Sequence, residues 1–132
     1  MARTAAHEMW DRDTASRALG MHLVDAGDGA ATVRMPVTAA MVNGHGIAHG
    51  GYVFLLADSA FACACNSHGP VTVAAGADIS FLQPVKEGDV LMATARERAR
   101  TGRSGIYDVT VTRDGDVVAE FRGRSRTIGR PA

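Results

Sequence analysis

The chain has 132 residues, enough for one domain with a sizeable core and cramped for two. With 46% hydrophobic and 21% charged residues, intrinsic disorder is excluded as its main state. Fourteen basic side chains balance fourteen acidic ones, and that zero net charge argues against a domain held to nucleic acid through phosphates. The balance is uneven along the chain: residues 1–95 carry 5 basic and 9 acidic side chains, whereas residues 96–132 carry 9 basic and 5 acidic.

In chain order, residues 5–19 set Met9, Trp10 and Leu19 among charges and predict a short amphipathic helix stopping at Gly20. Arg3, Glu8, Asp11, Arg12, Asp13 and Arg17 interrupt any apolar leader segment here, so a cytoplasmic address is expected. Residues 21–25 and 30–37 are rich in strand formers, and Gly27, Asp28 and Gly29 between them signal a hairpin turn. Residues 42–51, rich in glycine and histidine, read as a loop. The following run, Tyr-Val-Phe-Leu-Leu-Ala-Asp-Ser-Ala-Phe-Ala-Cys-Ala-Cys over residues 52–65, is too long for a typical strand and apolar nearly all round. It predicts a central helix over about 50–66, enclosed by other structure. Residues 47–65 approach the length of a membrane span, but His49, two glycines and Asp58 within them favour a buried helix.

Beyond His68, Gly69 and Pro70 the chain reads as strands. Residues 71–82 lead to Pro84, a turn at Glu87, Gly88 and Asp89 precedes residues 90–100, and residues 106–112 alternate in character. Asp114-Gly115 is a hairpin signal before residues 117–128, so three successive long antiparallel strands are predicted. The sum is a single α+β domain over 1–132: one long helix, five or six strands and a peripheral N-terminal helix. A helix apolar on every side must be wrapped, and a curved antiparallel sheet can do that. Cys63 and Cys65 have no second pair to complete a zinc site or a disulfide framework, and read as small core residues.

Between Arg34 and Asp78 one formally charged side chain occurs apart from histidines: Asp58, in the middle of the apolar helix. A lone buried carboxylate is costly, so it must be paired, hydrogen-bonded, protonated or open to a cavity. It either ties the core together or faces a ligand as base or nucleophile. The segment before the helix favours the second reading. Asn43, Gly44, His45, Gly46, His49, Gly50 and Gly51 place small and polar residues at a helix N-terminus, whose unpaired N–H groups and positive dipole suit a polarised carbonyl oxygen. Glycine there lets a substrate approach the backbone. Eight residues separate Gly50 from Asp58, roughly 12 Å along a helix, too far for both to reach one carbon. If the two cooperate, Asp58 comes from a second chain, which predicts a two-fold dimer with two shared sites.

The run from Asn43 to Ser67, Asn-Gly-His-Gly-Ile-Ala-His-Gly-Gly-Tyr-Val-Phe-Leu-Leu-Ala-Asp and onward, resembles the signature of hotdog-fold acyl-CoA thioesterases of the phenylacetic-acid-degradation (PaaI) type. Phe-Leu-Gln-Pro at 81–84, Gly88-Asp89 and the run from Arg100 to Val109 follow in the same order, so the resemblance covers roughly residues 18–128. It implies a hotdog fold, a dimer with a sheet continuous across the interface, and commonly a dimer of dimers. It implies that the Gly50 N–H polarises the thioester carbonyl, that His49 and Asn43 are adjacent polar positions of the site, and that Asp58 is base or nucleophile on a substrate held by the partner. Some members carry a hydroxyl after the helix where this chain has Ala74 and Ala75; Thr72 and Ser80 are the nearest hydroxyls.

Hydrolysis of an aryl or medium-chain acyl-CoA to acid and CoA is the expected reaction, with no metal or organic cofactor required. CoA phosphates call for basic groups. Arg100 and Arg103 are the first candidates, and Arg122, Arg124 and Arg126, alternating along one strand, the second. Gly51 and Phe54 are candidate substrate contacts, with Leu55, Phe61 and Met41 as further acyl-pocket candidates. Two alternatives stand beside this reading: a hotdog hydratase or dehydratase using His49 and Asp58 as an acid/base pair, and a non-catalytic acyl-CoA-binding protein.

Overall fold

The computed structural model describes residues 2–129; the extreme ends of the domain expected over 1–132 lie outside the described residues. The chain opens with α1 (Ala5–Asp11), whose start is a reciprocal cap: Thr4 Oγ1 accepts the Ala6 N–H at 3.1 Å and His7 Nδ1 accepts the Thr4 N–H at 2.9 Å. The single helix expected over 5–19 is in fact two. At Asp13 the backbone leaves the helical region (φ −84°, ψ 90°) and the carboxylate takes the Ser16 N–H at 2.9 Å, beginning α2 (Thr14–Ala18). The break turns Ser16 inward, where its hydroxyl meets Ser59 at 2.8 Å, and Gly20 (φ +79°) ends the segment.

Six antiparallel strands follow: β1 (His22–Gly27), β2 (Ala30–Pro36), β3 (Thr72–Phe81), β4 (Val90–Thr101), β5 (Ser104–Arg113) and β6 (Asp116–Thr127). Their order across the sheet is β1-β2-β4-β5-β6-β3. Both Asp-Gly signals are two-residue turns with consecutive positive φ: Asp28 and Gly29 (54° and 79°), Asp114 and Gly115 (49° and 86°). A third tight turn joins β4 to β5 at Gly102 (φ +60°) and Arg103, extending those strands to Thr101 and back to Ser104. Register shifts between Leu23/Asp25, Ala74/Gly76, Glu97/Ala99 and Val111/Thr112 bend the strands, as bulges do, and curve the sheet.

The sheet curls around α3 (Gly50–Asn66), the 17-residue central helix expected over about 50–66. Leu56, Ala57, Ala60, Phe61 and Ala64 are buried against it. Phe61 lies 5.6 Å from Tyr107 and 5.8 Å from Phe121, ring centre to ring centre, over Gly123, where no Cβ intervenes. Burying each such ring is worth about 2–3 kcal/mol. Asn66 locks the helix end to β3: its Nδ2 donates to the carbonyls of Ala62 (2.8 Å) and Thr72 (2.9 Å), and its Oδ1 accepts the Thr72 N–H (3.0 Å). Among the described residues, no helix is long and apolar enough to cross a membrane.

Besides the outer edge of β1, two surfaces of this unit stay open. β3 pairs with β6 along one side and has its other edge free, with Val73 43% and Phe81 54% exposed. On α3, Gly51, Phe54, Leu55, Asp58 and Ala62 fall at helical spacing and, like Gly50 and Tyr52 at the helix start, are not fully buried, so a mainly apolar stripe runs along one flank of the helix.

Candidate active site

The loop before α3 is built to present a helix N-terminus. The Asn43 N–H donates to the Ile47 carbonyl at 2.8 Å, and its side-chain Oδ1 accepts the N–H groups of His45 (2.8 Å) and Ile47 (3.3 Å). With the oxygen committed to the loop, what Asn43 can offer a ligand is its amide N–H. His49 then caps the helix: its Nδ1 accepts the Gly51 N–H at 3.2 Å and its carbonyl accepts the Tyr52 N–H at 3.0 Å. Nδ1 acting as acceptor places the ring proton on Nε2. Of the first three N–H groups of α3, those of Gly51 and Tyr52 are thus satisfied, and that of Gly50 makes no hydrogen bond among the described residues.

Gly50 lines a cavity of about 500 Å³ with Asn43, Ile47, Val53, Phe81, Val85 and Val118, a largely apolar recess where the helix start meets the end of β3. Phe81 lies directly over Gly50, so that a Cβ there would come within 2.9 Å of the ring. The recess therefore combines apolar walls, one unpaired N–H at the positive end of a helix, and an asparagine amide. That combination suits an acyl group whose carbonyl oxygen gains negative charge in the transition state.

Asp58 is two turns further along α3, outside this cavity, half-buried on the apolar stripe. Burial raises its pKa above the ordinary carboxylate value and the negative charge of Asp13 raises it further. The ion pairs among the described residues all involve other acids, so Asp58 has no ion-pair partner among them.

The other candidates separate. Gly51 is exposed, its N–H taken by His49, while Phe54 packs edge-on against Phe121 at 5.3 Å. Phe61 and Met41 are buried as core, and Leu55 shares the stripe with Asp58. Arg100 and Arg103 sit at the β4–β5 turn and do not line this cavity: Arg100, Arg124 and Arg126 border another of about 420 Å³ together with Ser104. Arg122 is held by both oxygens of Asp108 (2.7 and 2.9 Å) and Arg124 by Asp78 (3.1 Å). Thr72 is buried and bonded to the Pro70 carbonyl and Thr127, and Ser80 is exposed on the free strand. Burial pushes the thiols of Cys63 and Cys65 up to about 12, so neither is a nucleophile at neutral pH.

Two features escaped the sequence reading. Phe81 was visible only as part of Phe-Leu-Gln-Pro, with nothing to place its ring over Gly50. His68, read as a plain loop residue, bonds Glu97 Oε1 at 2.7 Å, and Tyr107 donates to the same oxygen at 2.8 Å; 29 residues separate His68 from Glu97, so no local spacing announces the contact.

Comparison with known proteins identifies the family and the fold. A family model described as the thioesterase superfamily matches residues 45–120. Acyl-coenzyme A thioesterase PaaI of Escherichia coli (strain K12) is 46% identical over 125 residues, which are 94% of this chain and 89% of the relative. The solved structure of E. coli PaaI, from its phenylacetic acid degradation operon, superposes with a TM-score of 0.94 at 44% identity, covering 96% of this chain and 93% of that one. An asparagine-to-aspartate variant of phenylacetic acid degradation protein PaaI from Thermus thermophilus matches at a TM-score of 0.85 and 36% identity, over 88% of this chain and 100% of that one. A Streptococcus mutans UA159 protein solved bound to acetyl CoA matches at 0.81 and 28%, over 85% and 91%. With its hotdog fold, a family-model match over more than half of its length and the E. coli PaaI matches over nearly all of it, the chain belongs to the thioesterase superfamily and, within it, is of the PaaI type.

Proposed function

We propose that the protein is an acyl-CoA thioesterase that adds water across the thioester R-CO-S-CoA to release the carboxylic acid and CoA thiol. The observation that carries the reading is the unpaired Gly50 N–H in the wall of an apolar cavity at the start of α3. It polarises the thioester carbonyl and stabilises the oxyanion, an interaction worth about 3–4 kcal/mol of barrier. Asn43 adds its amide N–H beside it, and His49, by capping α3, fixes the direction in which the Gly50 N–H points. Val53, Phe81, Val85 and Val118 favour an aryl or medium-chain acyl group, phenylacetyl among them. A thioester is already activated toward water, so this chemistry calls for neither metal nor organic cofactor.

The base is Asp58 of a second chain. Within one chain the helix rise holds it roughly 12 Å from Gly50. The free edge of β3 and the half-exposed stripe of α3 adjoin the cavity, and pairing both with their counterparts gives a two-fold dimer that brings each Asp58 toward the other chain's Gly50. Two such dimers join as a homotetramer. Asp58 as general base would contribute roughly 10²–10⁴ in rate; as nucleophile it would form an acyl intermediate instead. Arg100 and Arg103, with Arg126 close by, are the cations for CoA phosphates: Arg100 makes a loose ion pair with Glu97 at 3.8 Å, whereas Arg122 and Arg124 are hydrogen-bonded to Asp108 and Asp78. Acetyl CoA in the S. mutans relative supports the substrate class. The reaction is placed in the cytoplasm.

The test is release of free thiol from a panel of acyl-CoAs by the protein and its Asp58→Asn variant. The reading expects turnover on aryl or medium-chain thioesters, abolished in the variant with fold and oligomer unchanged. Binding without thiol release, or full activity in the variant, would overturn it.

A further inference from the structure

Part of the wall of the acyl cavity is chain that belongs to neither helix nor sheet. Residues 82–89 join β3 to β4, and Leu82, Gln83, Pro84 and Val85 line the cavity. Main-chain bonds hold this strap near its ends: the Leu82 N–H donates to the Val118 carbonyl at 2.8 Å, and the Gly88 N–H to the Val37 carbonyl at 2.9 Å. Between them the Val85 carbonyl accepts the Ala48 N–H at 2.6 Å, which seats the strap on the loop before α3. Arg113, the last residue of β5, ties the two halves of the strap together. Its Nη1 donates to the Pro84 carbonyl at 2.7 Å and to Asp89 Oδ2 at 3.2 Å, and its Nη2 to Gln83 Oε1 at 3.0 Å. The same Asp89 oxygen accepts the Lys86 N–H at 2.9 Å. We propose that Arg113 is a specificity-determining positioning residue: through Gln83, Pro84 and Asp89 it holds the strap closed on the cavity and so sets the preference for bulky acyl groups. The inference rests on that cavity receiving the acyl group of a thioester substrate.

Arg113 does not itself line the cavity, so it acts through the strap. The side chains of Arg113 and Asp89 are only 21% and 25% exposed, which shields their pair from much of the solvent that makes surface ion pairs weak. A guanidinium is flat and its N–H groups diverge at fixed angles, so one side chain can serve a backbone carbonyl, a carboxylate and an amide oxygen together; a lysine ammonium lacks that fork. The helix start is held by bonds of its own, from the His49 N–H to the Met41 carbonyl at 2.7 Å and from the Gly51 N–H to His49 Nδ1. Loosening the strap therefore leaves the Gly50 N–H aimed as before and costs chiefly the contacts made by the far part of the acyl group. An acetyl group ends at the methyl beside the carbonyl and has little to lose, whereas hexanoyl and phenylacetyl groups reach further into the recess.

Arg113→Met keeps the apolar stem and removes every donor. With acetyl-, hexanoyl- and phenylacetyl-CoA as substrates, kcat/KM for the two larger thioesters should fall about tenfold relative to acetyl-CoA, the loss lying mainly in KM. Arg113→Lys, which keeps the charge without the fork, should behave in the same way, and so should Asp89→Ala. Asp89→Asn, whose amide oxygen can accept both bonds, should keep most of the parental preference. Hydrogen exchange reads the clasp without catalysis: the Ala48 and Lys86 amides should exchange several-fold faster in Arg113→Met, with those of the buried strand residues Val109 and Phe121 unmoved. Faster exchange throughout, with all three thioesters losing equally, would reduce Arg113 to a stabilising residue and overturn the inference. Faster exchange confined to the strap with the acyl preference unchanged would overturn it as well. If the parent releases thiol from none of the three, the thioesterase reading itself has failed; exchange at Ala48 and Lys86 still reports the clasp, and its role in acyl choice falls with that reading.

Discussion

Replacing Gly50 by alanine separates the catalytic demand on this position from the structural one. The φ of Gly50 is not in the left-handed region, so what it requires is space. A Cβ would meet three ring carbons of Phe81 at 2.9, 3.3 and 3.4 Å, inside the roughly 3.5–4.0 Å at which carbon atoms pack. Phe81 is 54% exposed, so its ring can swing away at little cost, and alanine recovers about 0.5–1 kcal/mol of backbone entropy in the helix. The variant should therefore melt within a few degrees of the parent. Its methyl, however, stands beside the one unpaired N–H, which a substrate oxygen must approach to about 2.7–3.1 Å. Loss of that contact should lower kcat/KM by about 10²-fold, equivalent to about 2.7 kcal/mol. Thiol release and thermal unfolding on the same preparation measure both quantities. Parental kcat/KM in Gly50→Ala would refute the reasoning, as would recovery in Gly50→Ala/Phe81→Ala, since that would trace the loss to the displaced ring.

Gly123→Ala should destabilise without touching the site: the added Cβ meets Phe61 at 2.7–2.8 Å, and that ring is held between Tyr107 and Phe121. Overpacking of about 1–3 kcal/mol should lower Tm by several degrees, with part regained by adding Phe61→Leu; an unchanged Tm would contradict the packing. Glu97 provides a pH test. Burial acts to raise its pKa, but hydrogen bonds from His68 and Tyr107, with the charges of His68 and Arg100, outweigh it and hold the carboxyl below the ordinary value. A depressed folded-state pKa stabilises above the unfolded pKa and ceases to as pH falls through the folded one. The Tm of the parent should thus fall more steeply on acidification than that of Glu97→Gln, and parallel curves would count against the contact.

The central helix was legible because its apolar run leaves no solvent face, and Asp58 because it is the one formal charge between Arg34 and Asp78. Both Asp-Gly hairpins follow from local turn chemistry and recur at positive φ. Other features depend on distant partners. The break at Asp13 has no glycine or proline to mark it, and is set by Ser16 reaching Ser59, 43 residues away. The pairing of β3 with β6, which leaves β3 at the sheet edge, is decided by the wrap around α3 and leaves no local trace. Likewise the arginines of β6 alternate on one face as their spacing requires, yet the acids that engage Arg122 and Arg124 come from other strands. What the sequence did carry was the distance between Gly50 and Asp58, and the fold leaves that gap unbridged within one chain.

A subunit-mixing experiment tests that shared site most directly. Gly50→Ala and Asp58→Asn chains, each nearly inactive alone, are co-expressed so that dimers assort at random. In a hybrid dimer one site pairs an intact Gly50 with an intact Asp58, and the other lacks both. With half the dimers hybrid and one site of two restored in each, thiol release should return to about a quarter of the parental value per chain. Activity no greater than the average of the two parents would contradict a site built from two chains.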